Sequence, residues 1–156
     1  MIYFKKVQID NCSHDMLEVA LRKVSVKRTS PLDIVSTSTD IGTDKLFLGH
    51  EGKNTLTFTR LRASFERILP KLIIRLSPNQ NDCSYDIRFS ILSTCVFVLI
   101  AVSWAINLIL LMFGQNSIEN FLPYTFFVGI YFSLVFLELR LTTGRVNKAL
   151  NLFNNL

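Results

Sequence analysis

Three cysteines and two histidines are the side chains of this sequence that most readily hold a metal or act as nucleophile and base. Cys12, His14, His50 and Cys83 offer thiolate and imidazole donors of the kind zinc accepts. No close CxxC pair is present, however, and nothing in the spacing sets these four apart from unrelated residues. No metal and no cofactor is expected. Cys95 falls in an apolar run and reads as a small packing residue, while Cys12 and Cys83 read as reduced thiols of a cytoplasmic segment. Asn11-Cys12-Ser13 matches a glycosylation sequon formally, but the topology argued below keeps it from the lumen. There is no phosphate loop, GxGxxG, HExxH or nucleophile elbow, and neither histidine has a recognisable partner nearby. No catalytic constellation is visible, so the expectation is a protein that is not an enzyme.

The remaining residues of note lie among apolar neighbours. Ser103 and Asn107 are four apart and share one helix face. Thr125, Gly129 and Ser133 recur every fourth residue and make a ridge of small side chains. Such ridges let helices approach closely, and an Asn in hydrocarbon seeks a partner on a neighbouring helix. Hairpin packing or a homodimer contact is the simplest use of these five residues. A pore or substrate path would need the helices to oligomerise, and no central charge speaks for a proton relay. Glu138, at the end of the second apolar run, is expected to pair with Arg88 or with neighbouring Arg140.

The stretches that carry these residues are unusual. The chain has 156 residues and a net charge of +5. Residues 1–88 hold fourteen of the seventeen Lys and Arg and ten of the twelve Asp and Glu, whereas Glu119 is the sole charge between Phe89 and Leu137. Phe89 to Phe113 is one apolar run, and Phe121 to Leu137 a second, with Pro123 near its start. About twenty apolar residues suffice for a helix to cross a hydrocarbon core roughly 30 Å thick. Lipid leaves backbone amides no other partner than the helix itself. A buried core helix of a soluble protein is the competing reading, and the length of both runs weighs against it. The division expected is a domain over 1–88, a transmembrane hairpin over 89–139 with spans 89–113 and 121–139, and a C-terminal segment over 140–156.

Orientation follows from charge. Loop 114–120 has no Lys or Arg, while Arg88, with Lys71 and Arg75 upstream, flanks one span and Arg140, Arg145 and Lys148 follow the other. Both termini are therefore expected in the cytoplasm, with the hairpin in the cytoplasmic (inner) membrane. The opening residues, Met1-Ile2-Tyr3-Phe4-Lys5-Lys6, do not read as a signal peptide, because charge arrives before any apolar core.

Before the spans, residues 2–9 read as a strand and Ser13 as the cap of a helix over His14 to Val24, although Val24-Ser25-Val26 also suits a strand. A possible strand lies at Ile34–Ser36. Two hairpins are predicted, Leu46–Leu48 with Thr55–Thr59 and Lys71–Leu76 with Tyr85–Phe89, from alternating apolar residues around turn-rich connections. The fold class expected is α+β, a small antiparallel β-rich domain leading almost directly into the first span. Arg60, Arg62, Arg67, Lys71 and Arg75 form a basic series suited to solvent or an anionic leaflet. No nucleic-acid motif accompanies it, so no nucleic-acid partner is expected. Leu141 to Leu156 reads as an amphipathic helix, either packed on the β domain or lying in the membrane surface.

Gly49 after a strand, Phe58-x-Arg60 on the next, Pro70 heading a third, Trp104 in the first span and Glu138 ending the second give the chain a familiar order. In this it resembles small uncharacterised bacterial membrane proteins with a cytoplasmic β-rich domain and a two-helix transmembrane hairpin. The resemblance, from about Leu46 to Glu138, implies that architecture and carries no activity and no site residue. The function expected is a membrane-anchored binding, scaffold or sensor module, docking an unknown protein partner or ligand at the inner leaflet. The alternative is an oligomerising effector or channel-like protein that perturbs the bilayer.

Overall fold

The computed structural model describes residues 3–9, 12–33, 45–52, 55–76 and 83–154. Six strands and three α-helices are described: β1 (Tyr3–Gln8), α1 (His14–Lys23), β2 (Ser25–Arg28), β3 (Phe47–Glu51), β4 (Leu56–Arg60), β5 (Leu72–Leu76), β6 (Ser84–Phe89), α2 (Ile91–Met112) and α3 (Ile118–Asn154). A short 3₁₀ turn, Ser64–Ile68, joins β4 to β5. The strands form one sheet in the order β1-β6-β5-β4-β3-β2.

Both hairpins form where alternation predicts them, as antiparallel β3–β4 and β5–β6 pairs. The sheet is mixed and not purely antiparallel, because β2 pairs parallel with β3 through Ser25↔Phe47 to Arg28↔His50. The Val24–Val26 ambiguity is thus divided: Ser13 caps α1 by accepting from the Met16 amide, Val24 closes the helix, and the chain extends from Ser25. The possible strand at Ile34–Ser36 lies outside the described residues.

Period-two alternation sets what each face does. Phe47, Phe58, Leu72, Ile74, Leu76, Tyr85, Ile87 and Phe89 build one core with Leu17, Ala20 and Leu21 of α1 and Val135, Val146, Ala149 and Leu150 of α3. On the other face Leu32 covers Leu48, Leu61 and Ile73, with Val26 beside them. Gly49 suits this packing, since a Cβ there would press on Phe58 and the Ser25 hydroxyl at 3.1 Å.

The registers bring the start of β5 and the ends of β4 and β6 to one edge of the sheet, beside the start of α2. Ser90 caps α2 by accepting from the Ser93 amide. At its far end Gly114 takes φ +70°, and the amides of Gly114 and Gln115 bond to the carbonyls of Leu111 and Leu110. That is a helix stop closed by a left-handed residue, a conformation glycine adopts without steric cost.

Two findings revise the expected organisation. The second helix begins at Ile118, so the connection is shorter than 114–120 and Pro123 sits in the second helical turn. More important, α3 runs unbroken for 37 residues, so the expected second span and the C-terminal segment 140–156 are one helix. Its latter half packs on α1 and the sheet, as the apolar spacing of Val146, Leu150 and Phe153 allows.

By length and composition α2 and α3 can each cross a membrane. The most apolar 18-residue window of α2 is 0% buried and that of α3 11%, which is unlike the core helix of a soluble fold.

Candidate functional site

The densest polar arrangement lies where the sheet meets α3. On β4, Leu56 and Phe58 point into the core, and the same alternation carries Arg60 to that face at 0% exposure. Arg62 lies just beyond the strand, also buried. Opposite them stands Glu138, at 0% exposure, one turn beyond Val135 on α3. Its Oε2 accepts from Arg60 Nη2 at 2.7 Å, and its Oε1 from Arg62 Nη2 at 3.0 Å. The other end of Arg60 donates from Nη1 to Glu66 Oε2 at 2.8 Å, and that carboxylate also accepts from the Ala63 amide at 2.9 Å. Arg62 donates further to the carbonyls of Leu69 and Pro70, at 2.7 and 2.8 Å.

Burial works against charge at Arg60, Arg62 and Glu66, and the balance between burial and partners differs from one to the next. For Arg60 the Glu138 and Glu66 carboxylates outweigh burial and hold the guanidinium above its ordinary range. For Arg62 burial prevails and moves it below that range. Glu66 is pushed up by burial but brought lower overall by the Ala63 amide and Arg60. A guanidinium stays charged through these shifts, because its intrinsic pKa lies so far above neutrality. The cluster is therefore a charge-assisted clamp between sheet and helix.

A second pair secures α2. Arg88 donates to both carboxylate oxygens of Asp33 at 2.9 and 2.8 Å, and Asp33 Oδ1 also accepts from the Ile91 amide at 3.0 Å. The bond from Arg88 holds the Asp33 carboxyl below its usual value against its partial burial. Lys71 donates to the Leu32 carbonyl beside them, and burial brings its ammonium down to about 8.

The expected pairing of Glu138 with Arg88 or Arg140 is therefore replaced. Arg88 belongs to Asp33, Arg140 is exposed, and Glu138 takes Arg60 and Arg62. The physical reason is orientation, since Arg88 lies on the sheet face opposite α3, between the inward-facing Ile87 and Phe89. The basic series divides in the same way. Arg60 and Arg62 are spent inside the clamp, Lys71 is half-buried, and Arg67 is exposed.

The five expected packing residues also separate. Trp104 Nε1 donates to Thr125 Oγ1 at 3.4 Å, and Trp104 packs against Phe121 and Phe97 against Phe132. Asn107 bonds to the Ser103 carbonyl and accepts from Asn116 in the connection, so it finds no partner on α3. Gly129 and Ser133 are exposed, and a Cβ at Gly129 would meet nothing within 4 Å, so they do not pack the hairpin. Of the five, Thr125 thus bonds across the hairpin, and aromatic rings join α2 to α3 beside it.

Among the described residues no three His, Cys, Asp or Glu side chains form a metal-holding group. Cys12 does stand beside Cys83, whose thiol is pushed up to about 12 by burial and that neighbour. Among the described residues, two concavities on the sheet merit description. One, of about 120 Å³ beside Gly49, His50 and Phe58, is small for a ligand pocket. The other is an open groove lined by Tyr3, Lys5, Lys6, Arg75 and Asp86. No family model matches the chain, and no curated protein or solved structure matches it either.

Proposed function

We propose that the chain is a two-span membrane protein, not an enzyme, whose sheet domain docks a partner at the inner leaflet, with both chain ends in the cytoplasm. The observation that carries this reading is the buried bridge from Arg60 and Arg62 to Glu138, at the residue where the apolar part of α3 ends. A flexible tether merely keeps a domain near a membrane, whereas this clamp holds the sheet in one orientation relative to α3. The open groove lined by Lys5, Lys6, Arg75 and Asp86 sets three cations against one carboxylate and suits an acidic protein segment. Support for the membrane reading comes from the uncovered apolar helices and from loop residues 114–117, which carry no cation. The bilayer-perturbing alternative is less favoured, because the Asn107 and Ser133 side chains are already bonded within the helices or their connection.

Induced expression in bacterial cells with a membrane-potential dye separates the two. A docking module leaves the potential unchanged. Depolarisation on induction would overturn the proposal in favour of an oligomerising, channel-like effector.

A further inference from the structure

We propose that the 3₁₀ turn between β4 and β5 is a third lipid contact, its Phe65 and Ile68 side chains seated in the headgroup–acyl boundary beside the two spans. The inference rests on the membrane reading above and adds to it a surface that neither span provides.

Phe65 is 77% exposed and Ile68 78%, against 48% for Tyr3 and Val19, the other large exposed apolar residues described outside α2 and α3. In a 3₁₀ helix residues i and i+3 lie one above the other, so the two side chains project from one side. The turn is not loose. Glu66 is anchored inward on Arg60 and the Ala63 amide, and Arg62 holds the carbonyls of Leu69 and Pro70 that follow. A rigid turn that presents two large apolar residues to solvent is costly unless something covers them.

Position identifies the cover. Phe97 and Phe132 are 5.9 Å apart on antiparallel helices, so six residues toward the sheet on each bring Ile91 and Glu138 to one level. That level is where the apolar runs meet the charged domain, and Glu66 is separated from Glu138 by a single guanidinium. The turn thus stands at the lipid surface itself. Exposed Arg67 falls between them in sequence, a cation suited to headgroup phosphates, which matches the composition of a surface-seated segment.

The test uses the full chain in vesicles of phosphatidylcholine and phosphatidylglycerol. Cys12, Cys83 and Cys95 are replaced by Ser, and a polarity-sensitive fluorophore is attached to Phe65→Cys or, separately, Ile68→Cys. Ile109→Cys on α2 and Lys27→Cys on β2 serve as references. Expected at 65 and 68 are quenching by brominated lipid and an approximately five-fold lower iodide accessibility than at Lys27→Cys. Iodide access equal to that of Lys27→Cys, with Ile109→Cys quenched by brominated lipid, overturns the inference and leaves the spans intact. Protection from iodide without lipid quenching also overturns it, and assigns the turn to a second copy of the chain. Absence of lipid quenching at Ile109→Cys removes the membrane reading and this inference with it.

Discussion

Glu138 serves two guanidiniums with one carboxylate, and the two do not depend on it equally. Arg60 keeps Glu66 if Glu138 is neutralised, whereas among the described residues Arg62 is ion-paired with Glu138 alone. Removing one member of a buried ion pair strands the other and costs about 3–5 kcal/mol. Glu138→Ala should therefore lower unfolding stability in detergent by about that amount, and Arg140→Gln, at an exposed position, by less than about 0.5 kcal/mol. Equal effects would restore the pairing that sequence proximity favours. Lys71 adds a pH signature. Its folded pKa of about 8 lies below the ordinary 10.5, so between these values the unfolded chain binds more protons. Stability is thus expected to rise with pH through that window, after which the contribution ends. In Lys71→Met the rise should flatten, as read by denaturant midpoints at several pH values. At this scale the sequence was legible in part. Arg60 stands two residues after Phe58 and four after Leu56, an inward register that alternation alone could have flagged. That its partner lies 78 residues away was not legible, because no local pattern encodes a contact between a strand and a distant helix.

Elements whose period is local could be read, and those defined by distant pairing could not. The hairpins β3–β4 and β5–β6 follow from alternation and turn residues, and α1 from its cap and apolar spacing. β2 has four residues and one inward apolar side chain, Val26, against the Leu32 cluster, too little to mark an edge strand that pairs in parallel. The unity of α3 was hidden by composition, since an apolar half and a charged half read as two segments although the backbone is continuous. Gly144 tests that continuity. It is exposed in the helix interior, and a Cβ there would meet nothing within 4 Å. Gly144→Ala should then stabilise the protein by roughly 0.5–1 kcal/mol, visible as a higher unfolding temperature in detergent. A loss of stability would mean that residue 144 serves as a joint between two helices.

For the whole molecule, the clamp makes topology and orientation one question. If α2 and the first half of α3 cross the bilayer, then residues 114–117 lie on one side of it, and the sheet, tied to Glu138, lies on the other. A cysteine at Gln115, in a background without the three native ones, should react in intact cells with a maleimide that cannot cross membranes. A cysteine at Lys27 on β2 should react only after the cells are opened. The charge pattern sets the direction, because the cations accumulate on the sheet side and the connection has none. Reversed labelling would turn the protein over without altering its fold, and would place the groove of Lys5, Lys6 and Arg75 outside the cytoplasm. Labelling of both positions in intact cells would exclude a paired crossing altogether, and the exposed apolar faces of α2 and α3 would then need a protein cover in place of lipid.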